Sequence, residues 1–133
     1  MEFAIEKSVR LRVSTFEFWD NGIVYLKLDD SAEIQLEDSK MQYELLKSRF
    51  DGKTRFRVLV DPGRYTSVTK EAREFGSLPE TNAITAATAV IVKSLAQRIM
   101  MNFLINFFKN QDTKLRMFDS RKKAERWLLT VKV

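Results

Sequence analysis

A buried strand followed by a tight turn and the start of a helix, at residues 57–71, most constrains the fold of this chain. The apolar run Val58-Leu59-Val60 ends at Asp61, and Pro62-Gly63 then turns the chain. The polar residues after this turn lead into a predicted helix at about 68–76. This order is typical of open α/β sheets, in which ligands and switches lie at the carboxyl ends of the strands.

Periodicity along the rest of the chain predicts a β-hairpin followed by alternating helices and strands. Strands at Leu11–Trp19 and Ile23–Leu28 flank the turn signal Asp20-Asn21-Gly22. The first of these strands changes phase near Ser14-Thr15, which indicates a bulge or two short strands. The further predicted elements are a helix that starts with the capping box Ser39 to Gln42 and stops at Asp51-Gly52, a strand at Arg55–Asp61, a strand at Ala86–Val92, a helix at Leu95–Phe108, a strand at Leu115–Phe118 and a helix at Ser120–Val131.

We therefore expect an α/β fold in a single domain that spans residues 1–133. The sheet should be mixed, with about five strands, an N-terminal β-hairpin and about four helices, because a hairpin gives antiparallel pairing and helix–strand units give parallel pairing. A length of 133 residues with 44% hydrophobic content is enough for one core of ordinary size.

The residue types that the chain lacks exclude several kinds of chemistry. It contains no histidine and no cysteine, so imidazole bases, thiolate nucleophiles and Cys/His zinc sites are excluded. The four glycines are isolated, so no glycine-rich phosphate loop can form. The acidic stretch at 29–33 follows a strand and predicts a turn instead of a metal cluster. We expect no catalytic residues, no metal and no cofactor, and hence a protein that is not an enzyme.

Two further expectations concern the location of the protein. The absence of cysteine agrees with a reducing compartment. The N-terminal residues do not show a cationic region followed by an apolar run, so we expect no signal peptide. The predicted location is the cytoplasm.

The loop after the central strand supplies the first candidate site. An arginine and the free amides of a helix start favour an anion or a phosphorylated group, which nearby hydroxyls can bind or accept. The simpler alternative is that one hydroxyl only caps the helix. Asp61 closes the buried strand, so we expect its pKa to be shifted or its carboxylate to pair with Arg64. The residues of this candidate switch or anion-binding loop are Asp61, Arg64, Tyr65, Thr66, Ser67 and Thr69.

The predicted helix Leu95–Phe108 carries more apolar side chains than one contact with a sheet requires. Leu95 and Ile99 belong to the face assigned to the sheet, and Met101, Ile105 and Phe108 form a neighbouring apolar stripe. That stripe is predicted to face the helix at 120–131, a second copy of the chain in a homodimer, or a lipid-like ligand. The helix is too short and too polar to span a membrane.

The positive charge is concentrated at the C-terminal end. Residues 114–133 contain seven lysines and arginines against Asp119 and Glu125, which equals the net charge of +5 of the whole chain. We expect no exposed aromatic residues interleaved with this run, and the sequence shows no RNP-like or helix-turn-helix signature. We interpret the run as a solvated helix face and expect no nucleic acid partner.

The order of elements resembles the SpoIIAA-like family, whose fold is shared by STAS domains and CRAL-TRIO lipid-transfer domains. The resemblance rests on the opening hairpin, the strand Val58–Asp61 with its polar loop, the strand Ala89–Val92 with the helix after it, and the segment Arg116–Leu128. It is closest to the small bacterial members of unassigned activity. It implies a non-catalytic regulatory or protein-interaction module, or else a carrier or sensor of a small apolar or lipid-like ligand.

The resemblance bears on the phosphorylation of Ser67 and on the presence of a ligand cavity. In the anti-sigma-factor antagonists a serine at the start of the helix after the central strand is phosphorylated. Its counterpart here is Ser67, but Thr66 stands in place of the aspartate and Val68-Thr69 in place of glycine, so we expect no such phosphorylation. A void of roughly a few hundred Å³ lined by Phe and Met would favour the ligand carrier, whereas a filled core would favour the interaction module.

Overall fold

The computed structural model describes residues 3–105 and 113–133, without the side chains of residues 103 and 104. Within these ranges, six strands form one mixed sheet in the order β1-β2-β3-β5-β7-β8, and β4 and β6 form a separate parallel pair. The strands are β1 (Ile5–Arg10), β2 (Ser14–Trp19), β3 (Ile23–Leu28), β4 (Glu33–Ile34), β5 (Phe56–Asp61), β6 (Ser67–Val68), β7 (Thr85–Ile91) and β8 (Lys114–Phe118). The described helices are α1 (Leu36–Ser48), α2 (Lys70–Gly76), α3 (Pro79–Asn82), α4 (Leu95–Ile105) and α5 (Arg121–Leu128).

Strand pairing confirms the predicted α/β class. Strands β1, β2 and β3 are antiparallel neighbours, and β3, β5, β7 and β8 run parallel to one another. The described sheet has one strand more than the five expected. The extra strand is β1, whose charged and polar residues lie exposed at the sheet edge and show no apolar alternation. The bulge or pair of short strands predicted near Ser14-Thr15 is absent from the described residues, because residues 11–13 precede the strand and β2 pairs regularly with β3 from Ser14 onward.

Helix α5 covers one face of the sheet, which we call the α5 face. Here Leu59 and Ala89, from the two central parallel strands, form a buried cluster with Ala124 and Leu128 of α5. Ser120 caps the helix by accepting a hydrogen bond from the amide of Lys123, as its sequence position predicts. Helix α4 packs on Val90, which points away from the side chain of Ala89. Helix α5 therefore lies across the sheet from α4 and does not cover Met101 in the described part of the apolar stripe.

Helices α1, α2 and α4 lie on the second face, which we call the pocket face. Val58 on β5 belongs to a cluster that includes Leu46 of α1 and Ala72 of α2. On the neighbouring strand Val90 packs with Met101 of α4. Because side chains alternate along a strand, Val58 and Leu59 point to opposite faces, and both faces of β5 are buried.

Two helix starts differ from the sequence expectation. Helix α1 begins at Leu36, three residues before Ser39, because Gln35 and Asp38 form the capping box. Helix α2 begins at Lys70, since residues 67–68 pair with β4 as a strand. The break predicted at Leu78-Pro79 is followed by the short helix α3, which agrees with the preference of proline for the first helical turn.

Candidate functional site

The loop at 62–66 lies against the turn that follows β3. A Cβ atom on Gly63 would come within 2.5 Å of the Asp29 carbonyl, so glycine is required for this approach. The hydroxyl of Thr66 donates to the Asp29 carbonyl oxygen at 2.8 Å, and the amide of Ser31 donates to the Arg64 carbonyl oxygen at 2.7 Å. The two loops are thus joined into one edge at the carboxyl ends of β3 and β5.

The loop hydroxyls do not gather at a helix start as the sequence predicted. Thr69 caps α2 by accepting a hydrogen bond from the amide of Ala72 at 3.2 Å, which is the simpler of its two expected roles. Ser67 is exposed on β6, and the hydroxyl of Thr66 is used by the neighbouring turn. Arg64 is exposed and offers only its main-chain amide to Asp30, at 2.8 Å. The anion-binding role of this loop stays a prediction.

Tyr65 projects from the same loop into solvent. Its residue is 81% exposed, and its φ of 61° lies in the left-handed region that non-glycine residues rarely adopt. Such conformations concentrate at sites that bind ligands or partners. Tyr65 therefore stays a candidate for contact with a partner.

Asp61 lies beneath this loop and is paired on the α5 face. Its two carboxylate oxygens accept hydrogen bonds from the Tyr25 hydroxyl at 2.5 Å and from Lys93 Nζ at 2.7 Å. Lys93, not the expected Arg64, is its ion-pair partner. Neither Tyr25 nor Lys93 was predicted, because their proximity to Asp61 depends on strand order: β5 lies between β3 and β7.

Two opposing effects set the charge of this cluster. Burial alone would raise the pKa of Asp61, but the hydrogen bonds from Lys93 and Tyr25 outweigh it and hold the pKa below its ordinary value. For the Tyr25 phenol, burial and then the hydrogen bond to Asp61 both raise the pKa. Asp61 is therefore ionised and Tyr25 neutral at neutral pH.

The apolar residues of α4 that were assigned to the sheet point outward, and the described residues of the neighbouring stripe point inward. Met101 is 9% exposed and packs against the sheet, and Ile105 is half-buried. Leu95 and Ile99, which were assigned to the sheet, are 72% and 61% exposed. Phe108 lies outside the described residues. The part of the stripe that the structure describes therefore faces inward, and the outer apolar residues of the helix are Leu95 and Ile99.

A pocket of about 320 Å³ lies on the pocket face between α1, α2 and α4. Val58, Val60 and Val90 lie along its floor, and its walls include Leu46 of α1 and Phe75 of α2. The lining also contains Phe16, Met100 and Met101. Its volume lies in the range of a few hundred Å³ named above, and two phenylalanines and two methionines are among its lining residues.

Three polar atoms among the described residues are buried in this region without a hydrogen-bond partner. They are Nε of Arg73 and the hydroxyl oxygens of Thr81 and Thr113, and all three residues line the pocket. Buried polar groups in native proteins are nearly always hydrogen-bonded, so unpaired atoms at one pocket need an explanation. Sequence reasoning missed these residues because one arginine in a short helix and threonines before strands carry no distinctive pattern.

Comparison with known proteins places the chain in a family. Residues 17–132 match a domain of unknown function, DUF7793, so the chain belongs to that family. Among curated proteins, no match was found.

A solved structure supports the fold. The chain is similar to the crystal structure of an uncharacterized protein from the DUF3478 family with a SpoIIAA-like fold, from Shewanella loihica PV-4. The TM-score is 0.58 at 19% sequence identity, and the match covers 95% of this chain and 93% of that chain. The chain therefore has a SpoIIAA-like fold, which confirms the resemblance predicted from its sequence.

Neither a membrane-spanning helix nor a metal-binding cluster occurs in the described residues. In residues 3–105 and 113–133, no helix is both long and apolar enough to cross a membrane. The same ranges contain no group of three or more Asp, Glu, His or Cys residues that could hold a metal ion.

Proposed function

We propose that this protein binds a small amphiphilic molecule in the pocket between α1, α2 and α4, as its carrier or sensor. The observation that supports this function is the pocket of about 320 Å³, which is lined mainly by apolar side chains and by three residues that each carry an unpaired polar atom. Ligand sites combine these features, since apolar walls supply affinity and a few polar groups fix orientation. Of the two roles implied by the SpoIIAA-like resemblance, the pocket favours the ligand carrier.

The proposed function is binding without catalysis, so we expect the protein not to be an enzyme. The carboxylate of Asp61 is held ionised by Lys93 and Tyr25, and a carboxylate with a lowered pKa is a poor general base at neutral pH. The missing histidine and cysteine remove the commonest nucleophiles and bases. A cytoplasmic location also stays a prediction.

A saturation experiment with an uncharged fluorescent probe tests the pocket. N-phenyl-1-naphthylamine should bind with a stoichiometry of one and with enhanced fluorescence. Replacing Thr88, which lines the pocket, by Phe should abolish this binding because the ring fills the space between the floor and α4. The matched control is Thr54→Phe, which adds the same ring in an exposed turn. Equal binding by both variants would contradict the proposal.

A second candidate function is a regulatory or protein-interaction module, including a homodimer. The exposed Leu95 and Ile99 support it, because they lie one turn apart on the outer face of α4 and form a small apolar patch. This role is compatible with ligand binding, since α4 also contributes Met100 and Met101 to the pocket wall.

A further inference from the structure

Resting on the proposed pocket function, we propose that the ligand carries a carboxylate on an alkyl chain and that Arg73 binds this carboxylate. The charged residues that line the pocket in the described part of the chain are Arg73 and Lys114, and both are cationic. No described Asp or Glu lines it. A cationic head group would be repelled there, whereas an anionic one would be attracted.

The hydrogen bonding of Arg73 points to the shape of this anion. Its Nη1 donates to the carbonyl oxygen of Val68 at 2.7 Å, and its Nε has no partner. A carboxylate binds arginine best through two parallel hydrogen bonds to one edge of the guanidinium, and Nε lies on such an edge. Arg12 uses the same edge for Asp38, with Nε 2.8 Å from Oδ1 and Nη2 2.5 Å from Oδ2.

No ion pair to Arg73 occurs among the described residues. Its hydrogen bond to the Val68 carbonyl leaves the positive charge without a counter-ion beside apolar walls. Arg73 is half-buried, and a charge that is partly removed from water is more stable with a counter-ion than without one. An anionic ligand would supply the missing partner.

Threonine hydroxyls add further donors to the same pocket. Thr113 is 8% exposed, and its hydroxyl oxygen has no partner. The hydroxyl oxygen of Thr81 is also buried without a partner. A hydroxyl can donate to a carboxylate oxygen, so Thr81 and Thr113 add donor groups to the residues that line the pocket, while the apolar lining accommodates the chain.

Displacement of bound N-phenyl-1-naphthylamine measures this preference in the wild-type protein. The competitors are decanoate, decanol and decyltrimethylammonium, which share an alkyl chain and differ in the charge of the head group. We expect decanoate to bind about tenfold more tightly than decanol, as a charged hydrogen bond predicts, and the cation to bind most weakly.

Variants of Arg73 then assign the preference to one residue. Arg73→Gln should reduce the affinity for decanoate about tenfold, to that for decanol. Arg73→Lys should restore part of the preference, because lysine keeps the charge without the two-bond edge. The control is Arg126→Gln, which removes the same charge from an exposed position on α5, across the sheet from the pocket.

The results of these experiments distinguish the carboxylate assignment from the pocket function. If decanol binds as tightly as decanoate to the wild-type protein, the carboxylate assignment is wrong and the pocket function stands. If neither displaces the probe, or the probe does not bind, both proposals fail. If Arg73→Gln does not fold, as a melting curve would show, the wild-type comparison of the three competitors still decides the head-group charge.

Discussion

Replacing Tyr25 by Phe tests whether the cluster of Tyr25, Asp61 and Lys93 stabilises the fold by electrostatic interactions. The substitution removes the hydroxyl that donates to Asp61 and keeps the ring, which stacks on Trp19 with centroids 5.2 Å apart. The Arg121 guanidinium, 4.9 Å from the Tyr25 ring centroid, also keeps an aromatic face to rest on. The loss of stability therefore measures the hydrogen bond instead of the packing.

The size of the loss follows from the burial of the two partners. A hydrogen bond to a charged group contributes about 1.5–3 kcal/mol, and the lower half of this range applies because Asp61 keeps its bond from Lys93. The side chain of Lys93 is 54% exposed, so Lys93→Met should cost less than about 1 kcal/mol. The order of the two losses, with Tyr25→Phe the larger, is the first expected result.

The dependence on pH provides the second result. Because the pKa of Asp61 is lowered in the folded state, its stabilisation is present above the unfolded pKa of about 3.9 and is lost as the pH falls through the folded pKa. Tyr25→Phe removes one of the groups that lower this pKa. The difference in unfolding free energy between wild type and variant should therefore shrink in acid, towards about 1 kcal/mol or less for a neutral hydrogen bond.

Urea unfolding followed by circular dichroism, at neutral pH and at the lowest pH at which the wild type stays folded, measures both quantities. Tyr65→Phe is the matched control, since it removes the same hydroxyl from a residue that is 81% exposed, and it should leave the stability unchanged. A loss for Tyr25→Phe that is the same at both pH values would refute the electrostatic reasoning.

Three further predictions concern single sites. Gly63→Ala should destabilise the fold by about 1–3 kcal/mol, because the added Cβ clashes with the neighbouring turn. In the control Gly76→Ala the Cβ meets nothing within 4 Å, so the change should be neutral or stabilising by up to about 1 kcal/mol. Equal melting temperatures of the two variants would contradict this prediction. If the outer face of α4 forms a homodimer, light scattering should show a monomer for the double variant Leu95→Glu and Ile99→Glu, and a wild type already monomeric at micromolar concentration would exclude the dimer. Phosphopeptide mapping from the native cell should find no stoichiometric phosphate on Ser67, because the sequence around it lacks the aspartate and glycine of the antagonists.

The fold was predictable because its signals are local. The turn at Asp20-Asn21-Gly22 and the apolar runs of β5 and β7 define a hairpin and buried parallel strands with little help from distant residues. Strand β1 escaped prediction because an exposed edge strand does not need an apolar face, and its pairing with β2 is set by tertiary structure.

The candidate site was less predictable because it depends on which elements become neighbours. Asp61 was identified from its position at the end of a buried strand, but its partners come from β3 and from the end of β7. The predicted orientation of α4 was wrong for a similar reason. Its apolar residues surround much of the helix, so periodicity alone does not select between the stripe of Met101 and that of Ile99.

The pocket itself arises from the sequence of β7. The register between β5 and β7 shifts by one residue next to Phe56, which interrupts the alternation of side chains along β7. As a result Thr85 and Thr88 both line the pocket. The two residues between them, Ala86 and Ala87, both belong to the core under α5. Alanines let α5 pack closely on its face, because a methyl group projects little from the sheet. Threonines are also short, so on the opposite face they leave space beneath α2 and α4 that larger side chains would fill. The same strand thus makes one face a tight core and the other a pocket, and a larger side chain at Thr88 should close the pocket without disturbing the core beneath α5.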